Sequence, residues 1–124
     1  MAAERIRVVD DNEVNVELAL VVLEAAGYVV DVALDANQAL RRVAQCRPEL
    51  ILMDIQLPGM DGLALTRLIK ADPATRDIVI VAFTAFAMQG DEARMRAAGC
   101  DGYIAKPIDV AQLPGQVRDC LRTA

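Results

Sequence analysis

At 124 residues, with 55% hydrophobic and 25% charged side chains, the chain has the size and apolar content of one globular domain rather than a disordered segment. A net charge of −5 argues against a nucleic-acid binder, which needs a basic face to neutralise phosphates. The complete lack of histidine removes zinc-hydrolase, Ser-His and histidine general-base chemistry together, leaving carboxylates, hydroxyls and lysine to act.

In chain order, residues 5–9 read as a short buried strand that runs into Asp10-Asp11. Asn12 or Asp11 can cap a helix over 13–26, closed by Gly27. Residues 28–33 form a second strand, and Asp35 or Asn37 opens a helix through Ala39, Leu40, Val43 and Ala44 that must end before Pro48. Residues 50–53 are continuously apolar, as expected of a strand covered on both faces. That strand stops on Asp54, which leaves a carboxylate at the lip of the sheet. Pro58-Gly59 marks a loop, and 62–71 a helix with Leu63, Leu65, Leu68 and Ile69 as its apolar stripe. Residues 78–83 make the fourth strand, 90–98 a helix closed by Gly99, and 103–105 a short fifth strand. Asp109 begins the last helical stretch, towards Thr123, but Pro114-Gly115 interrupts it. Proline beyond a first turn loses a hydrogen bond and clashes with the preceding turn. The expectation is therefore a separate turn over 109–113, with Pro114 opening the main helix at its first position.

No apolar run, 18–23 included, approaches the length needed to cross a bilayer, and no basic segment leading into a long apolar stretch follows Met1. Cys46, Cys100 and Cys120 are odd in number and match no metal spacing. Reduced thiols in a cytoplasm are expected, each a small packing residue.

Strands alternating strictly with helices, without repeat or linker, predict one α/β domain over 1–124 with a parallel sheet covered on both faces. Ligands in such sheets sit at the carboxyl ends of the strands, near the point where strand order reverses. The residues just after the strands are Asp10 and Asp11, then Asp54, then Thr84, then Lys106. Only the second strand contributes nothing chemical. Carboxylates converging on one rim repel unless a cation joins them, and hard oxygen donors in this number suit Mg2+. A lysine on the same rim can neutralise phosphoryl oxygens, and a threonine hydroxyl can hydrogen-bond one of them. Carboxylate nucleophile, metal, hydroxyl and ammonium together make a phosphoryl-transfer site that forms an aspartyl phosphate on Asp54.

At these residues the sequence resembles the response-regulator receiver domains of two-component signalling, over essentially its whole length. The resemblance is carried by Val9-Asp10-Asp11-Asn12, by the stretch from Leu52 through Asp54, Gln56 and Pro58 to Gly62, by Phe83-Thr84-Ala85 and by Ala105-Lys106-Pro107. It is strongest to stand-alone receivers of the DivK type and to receivers attached to hybrid kinases. The resemblance implies a flavodoxin-like fold, strand order 2-1-3-4-5 with five flanking helices, and Asp54 as the phosphoacceptor. It implies that Asp11, Asp54 and the backbone carbonyl of Gln56 hold Mg2+, with Asp10 assisting through water on the metal, and that Thr84 and Lys106 grip the phosphoryl group. It also implies a cis Lys106–Pro107 bond, and a switch in which Thr84 is pulled inward and Tyr103 turns into the space behind it. Gln56 and Phe86 each lie two residues beyond a site residue and should flank the path of an attacking water, so bulky Phe86 predicts slow self-hydrolysis of the phosphoaspartate.

The implied partners are a histidine kinase or histidine phosphotransfer protein as donor and a downstream protein as target, with no nucleic acid and no membrane insertion, the receiver being a monomer or weak dimer. The chain itself cannot supply the phosphohistidine. On the first helix, Leu18, Ala19, Val22, Leu23 and Ala26 make the expected core stripe. Leu20 and Val21 fall roughly 130° away from its centre, among Glu13, Glu17 and Glu24. Val16, Leu20, Val21 and Phe86 are the candidate docking residues. Two rival readings are a receiver fold that no longer phosphorylates and serves as a binding module, and an Asp-nucleophile Mg2+-dependent phosphatase. The second lacks its acid/base, because Gln56 stands where such enzymes place a second Asp.

Overall fold

The computed structural model describes residues 4–57, 59–84, 91–106 and 108–123. Five strands, β1 (Arg5–Val9), β2 (Val29–Ala33), β3 (Leu50–Asp54), β4 (Val79–Thr84) and β5 (Gly102–Ala105), alternate with α1 (Glu13–Ala25), α2 (Ala36–Gln45), α3 (Gly62–Ala71), α4 (Asp91–Ala98) and α5 (Leu113–Thr123). All neighbouring strands are parallel, in the order β2-β1-β3-β4-β5. Parallel neighbours need crossover connections, which α1 to α4 supply, while α5 follows the last strand and packs on the sheet.

Alternation along the strands divides the core into two layers. Ile6, Val8, Leu50, Leu52, Val79, Val81, Phe83 and Ile104 point to one face, where Ala19 and Leu23 of α1 and Leu113 and Val117 of α5 close over them. Val9, Ile51, Met53, Ile80 and Ala82 point to the other, beneath residues of α2, α3 and α4. The central strands β3 and β4 are buried at every position, as their unbroken apolar runs require.

Helix starts follow their caps. Asn12 Oδ1 accepts from the amides of Val14 (3.0 Å) and Asn15 (3.1 Å), Asp35 from Gln38 (2.8 Å) and Asp61 from Ala64 (2.8 Å). Gly27 and Gly99 adopt φ +98° and +106° just after α1 and α4, where a side chain would be strained. At the last helix, Asp109 stabilises a separate turn by accepting from the Ala111 amide (3.0 Å), and α5 begins at Leu113. Pro114 is its second residue rather than its first, still within the turn that has no amide to lose.

Three expectations about faces are corrected. In α1, Ala19 and Leu23 are buried as expected, but Leu18 is 37% exposed and Ala26 lies outside, while Val16 and Val22 pack partly buried against the core. Val16 is therefore not a free docking residue, and Leu20 is half-buried rather than exposed. The apolar surface of α1 is instead Val14, Leu18 and Val21, spaced i, i+4, i+7 on the side opposite the core. The sequence misleads because α1 is apolar on both sides, so periodicity does not centre the stripe. In α3, Leu68 faces out; Leu63, Leu65, Thr66 and Ile69 form the buried face.

Candidate phosphoryl-transfer site

The chain winds from β1 to β2 on one side, then returns past β1 to β3, so the crevice between the carboxyl ends of β1 and β3 is the topological switch point. Asp10 and Asp11 enter it from β1 and Asp54 from β3. One carboxylate oxygen from each lies within 4.8 Å of the others. Asp10 is fully buried and Asp54 is 5% exposed, whereas Asp11 reaches solvent.

Asp10 Oδ1 accepts from the Asn12 amide (2.8 Å), and its Oδ2 faces Asn15 Nδ2 (3.5 Å) and Lys106 Nζ (3.2 Å). Asp54 Oδ1 accepts from the Gln56 amide (3.1 Å) and lies 3.4 Å from the same Lys106 ammonium. Lys106 thus bridges two of the three carboxylates from the far side of the sheet. Burial pushes the Asp54 carboxyl up to about 6; the Gln56 hydrogen bond opposes the rise, the Asp10 charge adds to it and Lys106 lowers it.

Thr84, 3% exposed, is the last residue of β4, and its carbonyl accepts from the Lys106 amide (2.7 Å), which ties the two phosphate-gripping candidates together. Tyr103 on β5 pairs with Ala82 and is 42% exposed. Gln56 is exposed beside Asp54. Phe86, Ala85 and Pro107, and with them the water-path expectation, the docking role of Phe86 and the cis peptide, lie outside the described residues.

The donor set, three carboxylates with no nitrogen or sulfur ligand among the described residues, fits a hard divalent ion such as Mg2+. The end of β3 is set by a contact that no spacing announces: Gly62 sits so close to it that a Cβ there would overlap the Asp54 carbonyl oxygen and lie only 2.8 Å from Ile55 Cα.

Two residues were not singled out by the sequence reading. Asn15 lies one turn into α1 and faces Asp10. Phe83, given no role of its own within the Phe83-Thr84-Ala85 segment, places its ring 5.0 Å from Lys106 Nζ. An aromatic immediately before the strand-end threonine was the available signal, but its meaning depends on which strand lies next to it.

Residues 6–118 match the response regulator receiver domain family. The chain belongs to the response-regulator receiver family. This receiver is 43% identical over 119 residues to the polar-differentiation response regulator DivK of Brucella anthropi, covering 96% of this chain and 97% of that protein. DivK of Brucella abortus is 42% identical over the same length. Among solved structures, the receiver domain of a sensor histidine kinase from Pseudomonas aeruginosa PAO1 superposes with a TM-score of 0.87 at 37% identity, covering 98% of this chain and 99% of that one; it has a magnesium ion coordinated in its active-site cleft. The chemotaxis response regulator CheY4 of Vibrio cholerae, 22% identical, shares the fold at a TM-score of 0.91, over 96% of this receiver and 99% of that chain. Receivers are signalling modules rather than turnover enzymes, and they work with histidine kinases and downstream targets. No helix among the described residues is long and apolar enough to cross a membrane.

Proposed function

We propose that this receiver takes a phosphoryl group from a phosphohistidine of a histidine kinase or phosphotransfer protein onto Asp54, and that the modified rim changes the protein's affinity for a downstream protein partner. In the step, an Asp54 carboxylate oxygen attacks phosphorus and a P–O bond forms as the P–N bond breaks; its electron pair stays on that nitrogen, and the donor ring, already protonated at its other nitrogen, leaves as neutral imidazole. The observation that carries the reading is the convergence of Asp10, Asp11 and Asp54 at the switch point with Lys106 held between two of them.

Asp11, Asp54 and the Gln56 backbone carbonyl are the residues that would hold Mg2+, with Asp10 in support. When bound, the ion offsets carboxylate repulsion and the charge of the incoming phosphoryl oxygens. Asp54 is mostly ionised at neutral pH despite its raised pKa, so it is competent as nucleophile. Lys106 and Thr84 then engage phosphoryl oxygens. The phosphoryl group adds about −1.5 to −2 charge, which draws the Thr84 hydroxyl inward and opens room for the exposed Tyr103 to follow. Cys46, Cys100 and Cys120, none of them in a disulfide, fit a reducing compartment, and we place the protein in the cytoplasm. Burial pushes the Cys100 and Cys120 thiols up, away from reactivity.

Acetyl phosphate with Mg2+ tests the reading. A base-labile, acid-resistant adduct on Asp54 by mass spectrometry, absent in Asp54→Asn and with EDTA, is expected. No adduct would make the protein a binding module. Rapid phosphate release without accumulation would make it a phosphatase.

A further inference from the structure

The strand register lays one row of residues across the sheet. Asp54 pairs with Phe83, and Phe83 with Ile104. Asp10 stands one residue beyond the Val9–Met53 pair, so it continues the row on the other side of Asp54. All four side chains point to the α1/α5 face by alternation with Val8, Leu52, Val81 and Ile104. Lys106 lies two residues after Ile104 on the adjacent strand end. To bring its ammonium from β5 to β3 it must cross β4, and the side chain it crosses is Phe83.

The crossing is a specific contact. Lys106 Nζ stands over the Phe83 ring, 5.0 Å from its centroid, while 3.2 Å from Asp10 and 3.4 Å from Asp54. Phe83 is 1% exposed and the Lys106 side chain 17%, so the pair is largely withdrawn from water. A partly desolvated ammonium over an aromatic face is attracted by the ring's quadrupole, more strongly than at an exposed site. An aliphatic side chain in the same place would fill the volume and offer no electrostatic hold. Lysine otherwise carries four rotatable bonds and would lose rotamer freedom on being fixed over the site.

We propose that Phe83 is a positioning residue: its ring holds the Lys106 ammonium over the strand ends, ready for phosphoryl oxygens arriving at Asp54. The proposal rests on the phosphoacceptor reading for its kinetic half and on the ring–ammonium geometry for its structural half. Because the ring favours a lysine that also neutralises Asp10 and Asp54, its removal should slow phosphoryl uptake without weakening Mg2+ binding.

The test uses the whole protein. In metal-free, unphosphorylated protein, the Lys106 ε-methylene protons should lie upfield of the other lysine by ring-current shielding, and Phe83→Leu should abolish that shift. With acetyl phosphate at saturating Mg2+, Phe83→Leu should lower the phosphorylation rate roughly three- to tenfold, while the Mg2+ dissociation constant measured by calorimetry stays the same or tightens. Should Phe83→Leu fold poorly, 3,4,5-trifluorophenylalanine placed at position 83 keeps the shape and depletes the ring face, and it should reproduce the slower rate. A Lys106 shift unchanged by Phe83→Leu, or a wild-type rate in a folded variant, overturns the proposal. So does a rate loss that merely tracks weaker Mg2+ binding. A wild-type protein that takes no phosphoryl group at all overturns the phosphoacceptor reading and the kinetic half with it, while the proton shift still decides the contact.

Discussion

At the scale of single residues, Asp54 carries the main tension in the molecule. It is nearly buried beside Asp10, and among the described residues the Gln56 amide and a shared lysine stabilise its charge. Its pKa is raised from 3.8 to about 6, so the charged form is disfavoured in the fold. The sign follows directly: the stability this group allows is fully present below pH 3.8 and is lost as pH rises through about 6. The loss has a ceiling of about 3 kcal/mol, from about two pH units at 1.36 kcal/mol each. In EDTA, Asp54→Asn should therefore be more stable than wild type at pH 7.5 by about 1–3 kcal/mol, and the gap should close by pH 4. Urea unfolding of both proteins across that range measures it. Mg2+ should raise the wild-type midpoint at pH 7.5 and leave Asp54→Asn nearly unchanged. Asp54 was legible in the sequence because an apolar run that ends on a carboxylate is unusual. Phe83 was not, because its meaning lies in Lys106 on a neighbouring strand.

At the scale of elements, Arg7 shows how a buried strand accommodates a charge. It is 1% exposed in the middle of β1, yet its guanidinium meets Asp31, its register partner on β2, at 2.6 and 3.1 Å, and donates to the Cys46 carbonyl at the end of α2 (2.8 Å). The pair therefore fastens β1, β2 and α2 together. Asp31→Ala would leave the arginine buried without its counter-charge and should cost about 3 kcal/mol, whereas Arg7→Met with Asp31→Val should recover most of it. A double-mutant cycle by chemical denaturation checks both. The junction of β3 and α3 is held as tightly. The Gly62 amide donates to the Ile55 carbonyl (2.7 Å), and its own carbonyl accepts from the buried Thr66 hydroxyl (2.7 Å). With both backbone groups committed and the Asp54 carbonyl in the way of a Cβ, Gly62→Ala should destabilise by about 3 kcal/mol, again read from urea unfolding. Helix starts and most strand bounds were readable from caps and apolar runs. The faces of α1 and α3 were not fully so, since Leu18 and Leu68 look like core residues until the helices are seated.

At the scale of the whole molecule, the site rim and the outward face of α1 are the places where a partner can act. Val14, Leu18 and Val21 form an exposed apolar stripe on the helix that begins at the site, flanked by Glu13, Glu17 and Glu24. The expectation is that a phosphohistidine donor reaching Asp54 settles against this neighbourhood. Leu18→Asp with Val21→Asp should slow transfer from a phosphohistidine protein at least about tenfold, the equivalent of 1.4 kcal/mol, while uptake from acetyl phosphate stays near the wild-type rate. Equal loss with both donors would remove the docking role.

The sequence by itself determined the α/β class, the strand order through its family resemblance, and the four strand ends that carry chemistry. Those features are local or follow from the covering of a parallel sheet, and buried runs, caps and strand-end carboxylates are written in consecutive residues. Only the tertiary structure decided which face of α1 is free, that Arg7 could be buried because Asp31 lies beside it, and that Lys106 reaches Asp10 and Asp54 across the ring of Phe83. The first depends on how a helix apolar on both sides seats against the sheet, and the other two on register between neighbouring strands, which is set by packing the whole sheet at once.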